Sequence, residues 1–345
     1  MKTVGIVGSR GMVGKVLLER MKEEGDLEDI QLFLLSTSQS SPEGPYYDAC
    51  DMDLLLKLDV IITTQGSDYT HKIYPLLKER NYQGFWIDAA SALRLHPEST
   101  LLLDPLNSAS IENALNEGKK LFVGSNCTVS LMLLALKDLI PRIEWINATT
   151  YQAISGAGSK ATEQLISDYQ TLNPLHFKEE WQKLRRTPLA YNLIPAIDDF
   201  SAELPESTKE EVKAQIESEK ILEGKKFHIE STCVRISSLR CHSQALTLKL
   251  KENLSLEEVE NLLKKTGNYL HYVPNKQAET IKELHPAYFQ ETLKIGVGRL
   301  KKLHLEEENH HSSYFSLFTI GDQLLWGAAE PLRRMFLKIK TGSFE

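Results

Sequence analysis

The stretch that most constrains the fold is residues 3–21. An apolar run at 3–7 leads into Gly8-Ser-Arg-Gly11-Met-Val-Gly14, and a helical pattern of apolar residues occupies 13–21. Glycines at this spacing allow a tight turn and a close approach of backbone, and the N–H groups that open the following helix suit a pyrophosphate. The spacing is G-x-x-G-x-x-G, whereas most NAD enzymes carry G-x-G-x-x-G, and such turns also occur without a nucleotide. The rhythm then repeats, with strand-like runs at 30–35, 59–63, 85–88 and 120–123 and a helical pattern at 74–80. Alternation of this kind predicts parallel strands joined by crossover helices, with ligands bound at the strand exits.

After Asn126 the pattern changes. Two longer runs, 145–153 and 232–250, mix β-branched, polar and apolar residues, as strands of a mixed sheet with one wet face do. Between them lies a polar region, 169–219, with a helix-like segment at 209–222, and residues 321–340 read as one amphipathic helix able to pack back onto the first domain. The expected class is α/β. A Rossmann-like nucleotide domain is expected at 1–125, an α+β domain with a mixed sheet at 126–320, and a returning C-terminal segment at 321–345. A length of 345 residues accommodates two cores.

Composition limits the partners. With 40 basic and 47 acidic residues spread along the chain, the net charge of -7 supplies no basic patch for nucleic acid or a membrane surface, so a small-molecule substrate is expected. The longest apolar stretch, 131–136, falls far short of the ~20 residues of a membrane span. Four cysteines without C-x-x-C spacing indicate a reducing, cytoplasmic setting, the start is no signal peptide, and no metal ligand set is assigned. The most charged loop, 306–311, is expected to be a solvated excursion.

Cofactor choice is read at the end of the second strand. NAD enzymes usually place Asp or Glu there for the ribose 2'-hydroxyl, and this chain has Ser36-Thr37-Ser38 with Arg10 in the nearby loop. Hydroxyls and a guanidinium suit a 2'-phosphate, which predicts NADP. Cys127 is the candidate nucleophile, since Gly124-Ser-Asn-Cys127 places a thiol at the first position of an apolar helix, where the dipole favours the thiolate. Backbone N–H groups at that helix start are expected to stabilise a tetrahedral oxyanion. A buried structural cysteine is the competing explanation. A thiol beside a nicotinamide fits chemistry in which a covalent acyl group accepts hydride and leaves as an aldehyde.

Gly8-Ser-Arg-Gly-Met-Val-Gly14, Ser36-Thr-Ser-Gln39, Trp86-Ile-Asp-Ala-Ala-Ser-Ala-Leu-Arg94, Asn126-Cys-Thr-Val-Ser130, Tyr151-Gln-Ala-Ile-Ser-Gly156, Arg240-Cys-His-Ser-Gln-Ala245 and Gly321-Asp-Gln-Leu-Leu-Trp-Gly-Ala-Ala-Glu330 together resemble the aspartate-semialdehyde dehydrogenase family of the Gram-negative bacterial type. The match is collinear from Lys2 to about Met335. The resemblance implies an enzyme of amino-acid biosynthesis with Cys127 as nucleophile, His242 as acid/base catalyst, and Gln152, Glu210 and Arg235 on the substrate. Arg94, Asn126 and Lys213 would bind the phosphate. Cofactor contacts would come from Arg10, Gly11, Met12, Val13, Thr37, Ser38, Gln65, the loop Ser155, Gly156, Ala157, Gly158 and Ser159, and Gln323. It also implies a homodimer built through the second domain's sheet. The segments after Gln39 and from Tyr169 to Leu193 look shorter than in the family, which bears on the adenosine pocket and on the dimer surface or a cofactor-covering loop.

Each assignment has a competing explanation. Arg235 and His242 lie seven apart, which on an unbroken strand puts them on opposite faces. The apolar phase runs Val234, Ile236, then Leu239, Cys241, so a bulge or bend at Ser237-Ser238 is expected to bring the two onto one face and Cys241 into the core. Ser207-Thr-Lys-Glu210 reads as a capping box that would occupy Glu210 at its own helix start. Lys213, one turn on, invites a solvated ion pair with Glu210, and Arg94 is also compatible with plain surface exposure. Rival functions are an acyl-phosphate reductase for another substrate, such as N-acetylglutamyl phosphate, and a catalytically silent NADP-binding sensor.

Overall fold

The structure, a computed structural model, describes residues 1–38, 46–172, 189–224, 227–304 and 313–342. The readings for the loop at 306–311, the segment after Gln39 and most of Tyr169 to Leu193 lie outside those residues. Two compact units are present: Met1–Ser130 with Lys220–Gly224 and Leu324–Glu345, and Leu131–Glu219 with Lys225–Gln323.

The first unit holds a seven-stranded sheet among the described residues, from β1 (Lys2–Val7), β2 (Ile30–Ser36), β3 (Tyr47–Asp48), β4 (Val60–Thr63), β5 (Phe85–Asp88), β6 (Thr100–Leu102) and β7 (Leu121–Gly124), in the order β3-β2-β1-β4-β5-β7-β6. Every pairing is parallel. Helices α1 (Met12–Glu23), α2 (Ser67–Glu79) and α3 (Asp104–Asn116) make crossovers, which is why β4 and β7 read as unbroken apolar runs: they are buried on both faces. This is the doubly wound nucleotide-binding arrangement expected.

The second unit is built on a mixed sheet of β8 (Ile143–Gln152), β9 (Leu193–Ile194), β10 (His228–Ile236), β11 (His242–Leu250), β12 (Leu270–Tyr272), β13 (Ile295–Leu303) and β14 (Ser313–Gly321), in the order β12-β13-β14-β11-β8-β10-β9. β10 runs parallel to β8 and β11 antiparallel to it. Along β8 the buried Ile146, Ala148, Thr150 and Gln152 alternate with more open positions, the period of a strand with one covered face. Helices α5 (Ser159–Thr171), α6 (Lys209–Ile221) and α7 (Leu256–Lys265) belong largely to this unit, and α4 (Cys127–Ala135) carries the chain from one unit into the other.

Two expectations change. Residues 232–250 are not one bent strand, because β10 and β11 lie on opposite sides of β8 and the chain crosses the end of β8 between them. Nor are residues 321–340 one helix. Gly321 is the last rung of β14, paired with His242 and Ile295, a π-helical turn occupies Leu325–Ala329, and helix α8 (Glu330–Thr341) begins with Pro331 in its first turn and ends at Gly342 in the left-handed region. Ladder bonds to two neighbouring strands outweigh the helical pattern of apolar residues. In the first unit, α8 inserts Leu332, Met335, Phe336 and Ile339 among Val4, Ile87 and Phe122. Arg333 donates to buried Asp26 at 2.6 and 3.2 Å and to Glu330 at 3.0 Å.

Candidate active site

The nucleotide loop of the first unit is tightly wound. Gly8 has φ +82°, and a Cβ on Gly14 would stand 2.2 Å from the Gly8 carbonyl oxygen, so only glycine lets α1 start against the turn. α1 carries no side-chain cap and no acid in its first turn, which leaves its opening N–H groups, around Met12 and Val13, suited to an anion. At the exit of β2, the Arg10 guanidinium donates to the Ser36 hydroxyl and, at 2.7 Å, to that of Ser38, with its carbon 5.1 Å from the Tyr46 ring centroid. Gln65 Nε2 donates to Thr37 Oγ1 at 3.2 Å. Cation and hydroxyls therefore converge where a dinucleotide's ribose lies in such folds. These residues fit a phosphorylated ribose.

At the other edge of the same unit, Asn126 caps α4. Its Oδ1 accepts from Thr128 N at 2.8 Å, Val129 N at 3.2 Å and Thr128 Oγ1 at 2.6 Å, while Ser130 Oγ donates to its carbonyl at 2.9 Å. Cys127, half-buried, is the first helical residue. Asn126 thereby engages the amides of Thr128 and Val129 at the start of α4. Arg94 Nε donates to the Gly124 carbonyl at 2.9 Å, which holds its guanidinium against the loop that carries the thiol. The backbone leading to it is fixed by Asp88, which accepts from Thr70 Oγ1 at 2.7 Å, Trp86 Nε1 at 3.1 Å and Ala90 N at 2.7 Å. Burial raises the Asp88 carboxyl above the usual carboxylate range.

In the second unit Arg235 on β10 pairs in register with Gln152 on β8, and Ser243 on β11 pairs with Tyr151 one step back, so Arg235, Gln152 and His242 occupy neighbouring positions on three adjacent strands. This replaces the expected bulge: the strand order, not a register slip, brings Arg235 and His242 together. Both are tied to one peptide, since Arg235 Nη1 donates to Ala153 O at 2.7 Å and His242 Nδ1 accepts from Ala153 N at 3.1 Å. A Cβ on Gly156 would stand 3.0 Å from Arg235 Nη1 and 3.2 Å from His242 Cε1. With Nδ1 accepting, the neutral imidazole carries its proton on Nε2, which is buried and has no hydrogen-bond partner among the described residues. Burial, reinforced by the charge of Arg235, lowers the His242 pKa to about 3.

Glu210 and Lys213 do form the expected pair, at 3.1 Å, and Lys213 also reaches Asp198 at 2.9 Å. The carboxylates outweigh burial and hold the Lys213 ammonium above its usual range. The other Glu210 oxygen accepts from Gln152 Nε2 at 3.3 Å. Glu210 is not the cap: Glu211 Oε2 accepts from Thr208 N at 2.8 Å and Glu211 N donates to Thr208 Oγ1 at 3.4 Å, which moves the capping box one residue on and leaves Glu210 facing Gln152. Glu211 Oε1 also accepts from Cys233 N at 3.0 Å, tying α6 to β10. The loop Ser155 to Ser159 leads into α5, whose N-cap, Gly158, has no side chain to bond the helix start. Gln323 bonds Ser155 and, at 2.9 Å, the amide of Cys241.

Cys241 sits in the core with Val273, Phe289 and Ile320, and burial pushes its thiol far up, so it is no nucleophile. Sequence reasoning missed Ala153, Asp88, Asp198 and Tyr46 as supports. Only Asp88, a carboxylate ending an apolar run, left a signal. Among the described residues no cluster suited to a metal ion occurs, and no helix is long and apolar enough to cross a membrane.

The family description "Semialdehyde dehydrogenase, NAD binding domain" matches residues 3–114, and "Semialdehyde dehydrogenase, dimerisation domain" matches 133–326. The chain is similar to an aspartate semialdehyde dehydrogenase from Francisella tularensis, with 42% identity over 99% of this chain and 100% of that one and a TM-score of 0.91. Two further solved structures share the fold. One is aspartate semialdehyde dehydrogenase II from Vibrio cholerae in complex with ASA, at 23% identity, 99% coverage of both chains and a TM-score of 0.81. The other is aspartate semialdehyde dehydrogenase from Candida albicans with NADP, at 17% identity, 99% coverage of both chains and a TM-score of 0.67.

Proposed function

Because the chain belongs to the aspartate-semialdehyde dehydrogenase family, we propose that it performs the NADPH-dependent reductive dephosphorylation of 4-phospho-L-aspartate to L-aspartate 4-semialdehyde, reversibly, through a thioester on Cys127. The observation that carries this reading is the loop in which Arg94 is held on the Gly124 carbonyl three residues before a thiol at a helix start. A nucleophile with a cation held against its loop suits attack on an acyl phosphate.

The helix start favours the Cys127 thiolate, which attacks the acyl carbon. Phosphate departs toward Arg94, the Asn126 amide and Lys213. Gln152 orients the acyl group, Arg235 takes the α-carboxylate in a bidentate pair, and Glu210 takes the ammonium. An acetylated amino group would leave the Glu210 carboxylate uncompensated, which favours aspartyl over N-acetylglutamyl phosphate. Arg10 to Val13, Thr37, Ser38, Gln65, Ser155 to Ser159 and Gln323 would hold NADPH, which would supply the hydride; the C–S bond of the resulting thiohemiacetal then breaks, releasing the semialdehyde and the Cys127 thiolate. His242 moves the proton at the former carbonyl oxygen through Nε2. Once a substrate carboxylate neutralises Arg235, one cause of the low His242 pKa is removed, and a second proton taken at Nδ1 in place of the Ala153 bond lets Nε2 act as the acid.

The pathway setting follows from the product, a precursor for lysine, diaminopimelate, threonine and methionine. We place the enzyme in the cytoplasm, where its four free cysteines stay reduced, and as a homodimer through the second unit's sheet. The decisive assay is phosphate-dependent NADPH formation from L-aspartate 4-semialdehyde, expected for the wild type and lost in Cys127→Ala. No turnover in the wild type, or full turnover in the alanine variant, would sink the mechanism.

A further inference from the structure

Arg94 closes a single 3-10 turn, Ser91–Leu93, that follows β5 in the first unit. A turn this short has no helix behind it to hold its end, and its last carbonyls take their donors from elsewhere in the fold. One side chain supplies them. Lys220, in the last turn of α6 and part of the same unit, donates from Nζ to the Arg94 carbonyl at 2.7 Å, to the His96 carbonyl at 2.9 Å and to Ser99 Oγ at 2.7 Å. From this convergence, and resting on the reading of Arg94 as a phosphate ligand, we propose that Lys220 is a positioning residue for phosphate. By holding the backbone of residues 94–99 it fixes where the Arg94 guanidinium stands.

An ammonium suits the place. It is a compact charge with three donors, and three oxygens converge on it, whereas the planar fork of an arginine would not meet all of them from one point. Ser99 Oγ belongs to the same knot, 3.1 Å from the Arg94 carbonyl and 2.8 Å from that of His96, and Ser99 is 6% exposed, so water competes little for these groups. The chain is fastened ahead of the turn as well, where Asp88 accepts from Ala90 N at 2.7 Å, and the side chain itself is anchored by Nε on the Gly124 carbonyl at 2.9 Å. Backbone and side chain of Arg94 are thus both set against the loop that carries Cys127. Release of the Lys220 end frees the backbone from which the guanidinium projects, and displacement of a positioning group by about 1 Å is enough to lose most of what it contributes. A plain structural staple would make the same three bonds; it differs in what its loss would change.

The test is Lys220→Met, which keeps the apolar stem and removes the donors, assayed in the oxidative direction with phosphate, L-aspartate 4-semialdehyde and NADP each varied. The KM for phosphate is expected to rise about tenfold, with kcat and the other two KM values within about twofold, the pattern of lost binding and not of lost chemistry. Ser99→Ala, which removes one of the three acceptors, is expected to raise the same KM by about two- to threefold, and it carries the test if Lys220→Met does not fold. An unaltered phosphate KM in the folded variant, or a rise shared equally by all three KM values, overturns the proposal, since a staple alone would lower the melting temperature without singling out phosphate. A second readout needs no turnover: protection of Cys127 from iodoacetamide by inorganic phosphate, followed by the mass of the labelled peptide. Half-protection is expected to require about tenfold more phosphate in Lys220→Met than in the wild type. That shift in a protein without dehydrogenase activity would defeat the enzymatic reading and leave the role of Lys220 standing. Phosphate that protects nothing in the wild type, or protects the variant equally well, overturns the proposal itself.

Discussion

His242 is neutral because it is wholly buried beside Arg235, and the Ala153 amide fixes which ring nitrogen holds the proton. Its folded pKa lies below its unfolded value of 6.5, so its contribution to stability is complete above pH 6.5 and is lost as the pH falls toward 3. Between pH 7 and 5 this amounts to about 2 kcal/mol. Urea denaturation should show that fall in the wild type and a shallower one in His242→Asn; parallel slopes would contradict the burial. At the ribose end, Thr37→Asp puts a carboxylate beside the hydroxyls bonded by Arg10. It should lower the ratio of NADP to NAD kcat/KM by at least about tenfold. Cys127 and Arg10 were read in the sequence as chemistry, and Arg235 through the resemblance. Their supports were not: backbone groups such as the Ala153 peptide carry no side-chain signature.

Helix α6 illustrates how one residue of register alters a functional assignment. Ser207 to Glu210 and Thr208 to Glu211 both satisfy the capping-box pattern, and a string of letters does not choose between them. The fold chooses, because Glu211 also bonds Cys233 N on β10, whereas Glu210 meets Gln152 and Lys213. Glu211→Ala should therefore cost about 1 kcal/mol or more in thermal stability by loss of the cap. Glu210→Gln should instead raise KM for the semialdehyde, with a smaller change in melting temperature. The reverse distribution of effects would return Glu210 to the cap. Strands behave likewise. Alternation revealed that Arg235 and His242 share a face, but the cause is the passage from β10 to β11 over the end of β8.

On the scale of the molecule, the C-terminal segment rejoins the first unit through α8, and its charged contacts there are buried. Arg333→Ala leaves Asp26 and Glu330 without their shared cation, and removing one partner of a buried pair costs about 3–5 kcal/mol. A large fall in denaturation midpoint is expected; a shift within error would mean that these carboxylates are solvated. The sequence by itself determined the doubly wound first domain, the thiol at a helix start, the run of hydroxyls at the end of β2 and the family, since each depends on local periodicity or on residue types close together in the chain. Only the tertiary structure decided the strand order around β8, the register of the α6 cap, the end of β14 at Gly321 and the partners of Asp88 and Glu210. Those depend on hydrogen bonds between residues far apart in sequence, whose energies outweigh local preference and leave no mark in the local pattern.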